Sequence, residues 1–272
     1  MVGRVGPNGA GKSTTISMIS TLLPPTKGTV KFNGKDVFKH PKELRPVLGV
    51  VPQEIALYEE LSAYENMKFF GKVYGLSGKA LEDKIQETLE LVGLKERQKD
   101  AVDTYSGGMK RRINIAVALM HDPEILIMDE PTTGLDPLMR DLFIELLKEE
   151  KERGKTIFMS SHIFQEVEEI CDRVAVIQKG KIIDIVDMKT IRYNKNKEYR
   201  MEFKSEEDFK QFISLGYQIN QVKTEDLQVF VQVHDNQINE LIQSLKAFDL
   251  VYFKEIKVHF EDYITEIFKE EV

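Results

Sequence analysis

The hydrophobic residues of this chain follow patterns typical of strands and helices in alternation. Residues 125–128, 156–159 and 174–177 are apolar almost throughout, and segments with helical spacing near 137–152 and 163–170 separate them. Continuous apolar strands are typical of a parallel sheet that is buried on both faces, and helices supply the connections between such strands. We therefore predict an α/β fold, with two more short strands at 29–33 and 48–51.

A helical insert interrupts this strand-rich sequence. Helical spacing begins near residues 62, 79 and 107, and the first of these segments starts with Ser62-Ala63-Tyr64-Glu65, the pattern of a capping box. We predict a helical subdomain over about residues 58–120. A separate helix is predicted from Thr14 to Leu23, where Pro24-Pro25 would end it.

The pattern changes after residues 194–197, a polar segment that we interpret as a linker. Strand-like and helix-like segments then follow in the order βαββαβ, with a terminal helix at the end. This order is typical of a ferredoxin-like module. We predict two domains, residues 1–192 and a small α+β module at 198–272.

The composition, 42% hydrophobic and 31% charged, is that of a globular protein with a substantial core. No apolar run approaches the roughly 20 residues that span a bilayer, and no secretory signal is recognisable. The single cysteine, Cys171, excludes an intrachain disulfide and a cysteine-based metal cluster. The net charge is −7, with most of the acidic excess after residue 190, so no basic face for nucleic acid is indicated. We expect a cytoplasmic protein without a nucleic-acid partner.

The first candidate site is the segment 6–13, Gly-Pro-Asn-Gly-Ala-Gly-Lys-Ser, which fits G-x-x-x-x-G-K-[ST] without a mismatch. Such a loop presents backbone N–H groups to phosphate, and the helix that follows it directs its N-terminus at the anion. Lys12 would reach the β- and γ-phosphates, and the Ser13 hydroxyl suits Mg²⁺. We predict ATP and Mg²⁺ as ligands. The predicted nucleotide-binding residues of this segment are Gly6, Asn8, Gly9, Ala10, Gly11, Lys12, Ser13 and Thr14.

Two carboxylates, Asp129 and Glu130, follow the apolar strand at 125–128. Asp129 would orient Mg²⁺, and Glu130 would polarise the attacking water in phosphoryl transfer. Taken alone, the pair is equally consistent with two solvated acids at the end of a strand. The glycine-rich loop upstream favours the catalytic interpretation.

A second anion site is predicted at Ser106-Gly107-Gly108, where a helix begins and is followed by the basic residues 110–112. Small residues at a helix N-terminus leave its N–H groups accessible to an anion. A simple N-cap is the alternative explanation of the serine.

Together these motifs closely resemble the ATP-binding subunits of ABC transporters. Residues 105–109, Tyr-Ser-Gly-Gly-Met, are similar to the family's signature motif, 52–53 to its Q-loop and 134–136 to its D-loop, and His162 resembles its switch histidine. The resemblance covers about residues 1–190. It implies a P-loop NTPase fold with a RecA-like parallel sheet and an inserted helical subdomain.

The same resemblance implies roles for individual residues. Glu130, His162 and Gln53 would be catalytic, and Ser13, Gln53 and Asp129 would hold Mg²⁺. The other nucleotide contacts it implies are Ser106, Gly107, Gly108 and Asp136.

The resemblance also implies partners. The protein would work as a head-to-tail dimer, in which the signature residues of one subunit cover the ATP on the P-loop of the other. Hydrolysis would drive a separate membrane permease, which places the protein at the inner face of the cell membrane. A short permease helix would enter a cleft near Gln53, with Ile55, Leu57, Tyr58 and Tyr64 as expected contacts.

The signature departs from the common pattern, because Tyr105 replaces the usual leucine and Met109 the usual glutamine. This form, the basic residues 110–112 and the C-terminal extension are similar to single-domain ATPases that serve drug, antibiotic or ion exporters. The serine and both glycines that would contact phosphate are intact.

The N-terminus is a second departure. Family members usually carry two strands and an adenine-stacking aromatic residue ahead of the P-loop, whereas here no aromatic residue precedes Phe32. Base stacking contributes roughly 1–3 kcal/mol in other nucleotide complexes, so we expect ATP binding weakened to that degree. Without those strands, the strand at 29–33 would expose an edge that is prone to aggregation.

Two alternatives to an exporter ATPase follow from the same residues. A soluble ABC ATPase acting on DNA ends would need a long coiled coil between Thr14 and Ser106, and one acting on ribosomes usually has two cassettes; neither feature is recognisable. A non-catalytic or impaired nucleotide-binding module, left by truncation of the N-terminus, is the other alternative. Intact Lys12, Glu130 and His162 argue against it, and the short N-terminus argues for it.

Overall fold

The computed structural model describes residues 1–257 and 259–270. The chain forms two compact units, residues 1–188 and a second unit that begins at Lys189.

The first unit is built on a six-stranded sheet with the order β4-β5-β6-β1-β7-β8. Neighbouring strands are parallel from β4 to β7, and β8 is antiparallel to β7. Two further short strands, β2 and β3, form a separate antiparallel hairpin. The strands are β1 Val2–Val5, β2 Lys31–Phe32, β3 Lys35–Asp36, β4 Leu48–Val51, β5 Ile125–Asp129, β6 Thr156–Ser160, β7 Arg173–Gln178 and β8 Lys181–Asp187.

Helices cover this sheet and form the insert. They are α1 Lys12–Ile19, α2 Pro41–Leu44, α3 Ala63–Val73, α4 Gly78–Leu91, α5 Gly107–Leu119, α6 Pro137–Glu152 and α7 Phe164–Ile170. A short helix, α8 Met188–Arg192, runs across the boundary between the two units. The predicted α/β fold with a largely parallel sheet is confirmed. Its core contains the apolar runs of the central strands, including Leu126, Met128, Ile157, Met159, Val174 and Val176.

Helices α3, α4 and α5 share a core of their own, which includes Met67, Leu81, Ile85 and Ile113. The capping box predicted at the start of α3 is confirmed. Glu65 N donates to Ser62 Oγ at 3.2 Å, and Ser62 N donates to Glu65 Oε2 at 2.9 Å. Among the described residues, no helix is both long enough and apolar enough to cross a membrane.

The second unit has a four-stranded antiparallel sheet with the order β10-β11-β9-β12. Its elements are β9 Asn196–Phe203, α9 Glu206–Ile213, β10 Gln218–Lys223, β11 Gln228–His234, α10 Ile238–Leu245, β12 Leu250–Ile256 and α11 Phe260–Glu270. This order and these directions are those of the predicted ferredoxin-like βαββαβ unit. Alternate residues of β9 and β11, such as Met201 and Val231, form the buried face beneath α9 and α10.

Two local predictions were wrong, and one strand was not predicted. The helix after the glycine-rich loop ends at Ile19 and not at Leu23, because the Ser20 hydroxyl donates to the Ile16 carbonyl and Thr21 adopts a left-handed backbone with φ 63°. Leu22 and Leu23 are consequently exposed.

The predicted linker at 194–197 is partly strand, because Asn196 and Lys197 pair with His234 and Val233 in β9 and β11. The edge strand β8 was missed by the sequence analysis. It follows β7 through Lys179 and Gly180, whose φ values of 47° and 77° fit a two-residue hairpin turn.

Candidate nucleotide site

The candidate residues meet at one edge of the parallel sheet. The adjacent strands β4, β5, β6 and β1 are followed by Gln53, Glu130, His162 and the glycine-rich loop, respectively. Because carboxyl ends of parallel strands share an edge, these four segments converge although they are far apart in sequence. The open cleft between them is lined by Asn8, Gly9, Gly11, Lys12, Ser13, Thr14, Gln53, Glu130 and His162.

Two glycines allow the loop to take its shape. A Cβ atom on Gly6 would lie 2.2 Å from the Ile177 carbonyl oxygen, so only glycine lets the loop pass so close to β7. Gly11 has a φ of 98°, which side chains strongly disfavour, and it precedes the first residue of α1. The predicted residues Gly6 and Ala10 do not line the cleft; Ala10 is buried, and its carbonyl accepts from Gly180 N at 3.0 Å.

Lys12 is the cation at the base of the cleft. It is only 6% exposed, and its Nζ donates to the carbonyls of Gly6 at 2.9 Å and Pro7 at 3.3 Å. The loop therefore holds this ammonium in place before any phosphate binds. A buried cation at a helix N-terminus makes the cleft suited to an anion.

Oxygen atoms suited to Mg²⁺ lie beside the loop. The Ser13 hydroxyl donates to Gln53 Oε1 at 3.4 Å, so two of the three predicted ligands already lie close together. The third, Asp129, is buried at the end of β5, and the Ser160 hydroxyl donates to its Oδ1 at 2.5 Å. Hydroxyl, amide and carboxylate oxygens are the donors that Mg²⁺ accepts, so the residues present fit this ion.

Glu130 is held in an uncommon backbone conformation. Its φ is 47°, and its N–H donates to both Oγ (3.0 Å) and O (3.2 Å) of Ser160 on the neighbouring strand. Its carboxylate lies 3.2 Å from His162 Nδ1, and the Thr133 hydroxyl donates to it at 3.4 Å. Left-handed non-glycine residues persist where the surroundings over-determine them, and they are frequent at functional sites.

The remaining predicted residues form a second group outside this cleft. The Ser106 hydroxyl accepts from Met109 N at 3.3 Å and caps α5, and Asp136 Oδ1 accepts from Met139 N at 3.0 Å and caps α6. A Cβ on Gly108 would lie 3.2 Å from the Gly134 carbonyl, so the two helix starts are neighbours.

The basic residues after Gly108 are engaged away from the start of α5. Lys110 pairs with Glu59 at 2.8 Å, and Arg112 donates to the carbonyl of Val92 at 3.0 Å. Arg111 is buried and points to main-chain carbonyls on the cleft side. Burial lowers the pKa of the Arg111 guanidinium to about 10, which still leaves it charged at neutral pH.

A buried carboxylate, Glu166 of α7, connects the loops after β5 and β6 with helix α6. It is 3% exposed and accepts from the hydroxyls of Thr132 (2.8 Å) and Ser161 (3.0 Å). Arg140 Nε lies 3.2 Å from its other oxygen. Burial raises the pKa of Glu166, although these three partners act in the opposite direction.

Sequence reasoning missed Arg111, Glu166 and Arg4, which is buried in β1 and donates to the Lys12 carbonyl at 3.3 Å. Helical spacing was the available signal for the first two. Arg111 precedes buried Ile115 by four residues, and Glu166 precedes buried Ile170 by four, so both charges fall on apolar helix faces.

The expected permease contacts divide into two sets. Leu57 and Tyr64 pack against the core of the helical subdomain. Tyr58 is exposed, and its ring lies 5.1 Å from the ring of Phe69, which is also exposed.

The sequence is similar to transport proteins. A family profile described as ABC transporter matches residues 1–133. The linearmycin resistance ATP-binding protein LnrL of Bacillus subtilis is 52% identical over 183 residues, which are 67% of this chain and 59% of that protein. The Nod factor export ATP-binding protein I of Burkholderia lata is 42% identical over 181 residues, 66% of this chain and 60% of that protein. The chain thus spans about 60% of the length of both relatives.

Solved structures give the same result. The structure of an ATP binding subunit of an ABC transporter is 34% identical, with a TM-score of 0.65, and the match covers 71% of this chain and 81% of that one. The dimeric ATP-binding cassette MJ0796, in a post-hydrolysis state with ADP and Pi, is 26% identical with a TM-score of 0.64. That match covers 69% of this chain and 85% of the cassette.

Proposed function

The chain belongs to the ABC transporter family of ATP-binding proteins, and from this premise we propose that it is the ATP-hydrolysing, energy-coupling subunit of an exporter. The observation that carries the proposal is the convergence of Lys12, Glu130 and His162 in one cleft, at the ends of three adjacent strands. A phosphate-binding cation, a carboxylate and an imidazole are the groups that ATP hydrolysis requires at such a place.

The P-loop binds the phosphates of ATP. Lys12 Nζ, already held by the Gly6 and Pro7 carbonyls, turns to the β- and γ-phosphates. Ser13, Gln53 and Asp129 hold Mg²⁺, which neutralises part of the phosphate charge when it is bound. Asn8, Gly9, Ala10, Gly11 and Thr14 complete the loop around the nucleotide.

Glu130 acts on the water that attacks the γ-phosphate. Its carboxylate orients and polarises that water, which is the positioning that phosphoryl transfer demands. His162, 3.2 Å away, contacts the γ-phosphate and fixes the carboxylate. Main-chain bonds to Ser160 hold Glu130 in its left-handed conformation, so this geometry exists before substrate arrives.

Two copies of the chain form a head-to-tail dimer, in which Ser106, Gly107, Gly108 and Asp136 of one subunit close over the ATP of the other. These residues lie next to one another, and they do not line the cleft of their own subunit, where Lys12 and Glu130 are found. This position supports the head-to-tail arrangement. Similarity to a dimeric cassette supports it further.

The partner is a membrane permease, and the chain acts at the inner face of the membrane. Relatives named for Nod factor export and for linearmycin resistance support an exporter. The exposed ring pair Tyr58 and Phe69 would contact the permease beside the loop of Gln53.

Phosphate release by the full chain with ATP and Mg²⁺ tests the catalytic part. We expect hydrolysis by the wild type and almost none by Glu130→Gln. Glu124→Gln is the matched control, because Glu124 is exposed next to the opposite end of the same strand. Equal rates in the wild type and Glu130→Gln would refute the catalytic assignment.

Co-purification from cells that express the tagged chain tests the partner. We expect an integral membrane protein to be recovered with the wild type and not with Tyr58→Asp. Recovery of only soluble proteins or nucleic acid would contradict the exporter assignment.

A further inference from the structure

One buried side chain joins the two loops that carry Gln53 and Glu130. Arg111 lies in the second turn of α5 and is 2% exposed. Its guanidinium donates to five main-chain carbonyls, those of Pro52 (2.6 Å), Gln53 (3.0 Å), Asp129 (2.7 Å), Glu130 (2.6 Å) and Pro131 (2.9 Å).

The donors and acceptors match in number and in direction. Arginine carries five N–H donors in a planar fork, and here one Nη serves the loop after β4 while Nε and the other Nη serve the loop after β5. Every donor of the buried cation therefore has a partner.

The hydrogen bonds from Arg111 also support the unusual backbone conformation of the loop after β5. Glu130 has a positive φ, and its N–H is fixed by Ser160. Its carbonyl is fixed by Arg111 at 2.6 Å. These bonds hold the backbone of Glu130 at both its N–H and its carbonyl.

The loop after β4 has fewer supports. Gln53 itself is exposed. Helix α5 contacts the far part of this loop through the pair of Lys110 and Glu59. Among the bonds found for the described residues, it reaches residues 52–56 only through Arg111 and, at 3.5 Å and 3.4 Å, through Asn114 to Pro52 O and Ala56 N. The guanidinium makes the two short bonds of this set, so we expect it to dominate the position of Gln53.

We propose that Arg111 is a positioning residue for ATP hydrolysis, which acts through main-chain carbonyls to fix Glu130 and Gln53 against helix α5. Because α5 begins at Gly107, the same contact ties the signature residues to the catalytic carboxylate of their own subunit. The inference rests on the proposed function for the roles of these residues, and on the structure for the contacts.

Lysine cannot replace arginine in this position. An ammonium concentrates three donors on one nitrogen, whereas the five carbonyls lie around an extended planar group. Arg111→Lys therefore keeps the charge but loses the link between the two loops. Arg111→Gln removes the charge as well. Arg112→Lys is the matched control, because Arg112 is its neighbour on α5 and, within the described part of the chain, donates to the carbonyls of Val92 and Gly93 just after α4.

The test compares kcat, the KM for ATP and the Mg²⁺ requirement of these variants, with each rate normalised to the folded fraction. We expect both Arg111 variants to lose kcat, by up to about 10²-fold, the loss that a displacement near 1 Å produces. The KM for ATP should stay near that of the wild type, because Lys12 and the P-loop are untouched. The Mg²⁺ concentration needed for half-maximal rate should rise, because Gln53 shifts. Arg112→Lys should match the wild type in all three.

Hydrogen exchange of the same proteins without nucleotide gives a readout that does not depend on activity. We expect faster exchange in Arg111→Lys at residues 52–56 and 129–133, with residues 6–13 unchanged. An Arg111→Gln variant with wild-type kcat, or exchange that rises evenly across the first unit, would overturn the inference. If the wild type itself does not hydrolyse ATP, the proposed function fails, and localised exchange still decides whether Arg111 positions the two loops.

Discussion

His162 Nδ1 lies 3.2 Å from Glu130 Oε2, across the neighbouring ends of β6 and β5. The two side chains differ in exposure, since the Glu130 side chain is 13% exposed and that of His162 is 52% exposed. The Glu130 carboxylate is thus the more buried of the two groups in the cleft, and the His162 imidazole is the more exposed one. A γ-phosphate bound by the P-loop would meet both groups.

Replacing His162 by asparagine should lower kcat while leaving ATP affinity nearly unchanged. The imidazole contacts Glu130, whereas the phosphate-binding loop is held by its own carbonyls and by Lys12. We expect a loss of about 10²-fold, the lower range for a group that assists proton transfer or orients a reactant. Steady-state hydrolysis and nucleotide titration of the same preparation measure the two effects separately.

His40→Asn is the control for this experiment, because His40 is an exposed histidine that does not line the cleft. It should behave as the wild type. A His162→Asn variant with an unchanged kcat would show that the contact with Glu130 has no part in the rate.

Replacing Lys12 by methionine should weaken ATP binding by about 10- to 100-fold, since a hydrogen bond to a charged group contributes roughly 1.5–3 kcal/mol. The thermal midpoint should change little, because methionine has a similar length and the buried ammonium it replaces is costly to desolvate. Fluorescence titration with a nucleotide analogue and thermal unfolding measure these quantities. Lys27→Met, at an exposed lysine, should leave both at wild-type values; equal affinity of Lys12→Met would contradict the role of Lys12.

Glu166 makes stability depend on pH. Burial raises its pKa in the folded protein above the ordinary value of 4.5, so the folded state holds the proton more tightly than the unfolded chain. Its contribution to stability is therefore fully present below pH 4.5 and is lost as pH rises through the raised folded value. Glu166→Gln stays neutral at every pH, so the free energy of unfolding of the variant relative to the wild type should increase from pH 4.5 upwards.

Chemical unfolding at several pH values measures that difference. A difference that stays constant with pH would show that Glu166 has the same pKa in both states. In Glu166→Gln the side-chain carbonyl can still accept from Thr132 and Ser161, but the ion pair with Arg140 is lost. A loss of stability that is the same at every pH would report this lost ion pair and not the pKa of Glu166.

Much of the fold could be predicted because its signals are local. Continuous apolar runs identify the strands of a parallel sheet, and the order of the motifs at their ends then brings Gln53, Glu130, His162 and Lys12 together. The elements that were missed lack such signals. Strand β8 lies at the sheet edge with Ile182 and Ile185 exposed and Val186 alone buried, and Asp184 interrupts its apolar residues, so it has no continuous apolar run.

Sequence motifs identify most of the residues that line the cleft, but they do not identify the buried residues that support it. Lys12 and Glu130 belong to motifs of fixed spacing. Arg111 acts on carbonyls of residues that lie about 20 and 60 positions away, and any residue type can supply a carbonyl. No sequence pattern therefore marks its partners, and the charge was assigned to the start of α5 only because it follows Gly108.

The last prediction separates folding from assembly at Gly107. A Cβ on Gly107 would meet no atom of the described residues within 4 Å, so Gly107→Ala should fold with an unchanged thermal midpoint. In the proposed dimer the same position faces the phosphates of ATP on the partner's P-loop, where a methyl group would block the close approach of the backbone. Sedimentation with ATP compares Glu130→Gln with the double variant that also carries Gly107→Ala. The dissociation constant of the dimer should be at least about tenfold higher in the double variant.

Gly154→Ala serves as the contrast, because Gly154 also has open space but a φ of 90°. Strain at that turn should lower the thermal midpoint without changing ATP-dependent dimerisation. If Gly107→Ala left the dimer intact, the start of α5 would not cover a partner's nucleotide. The role of Ser106 would then be limited to capping α5. If it instead lowered the thermal midpoint, the space around Gly107 would be filled within the monomer.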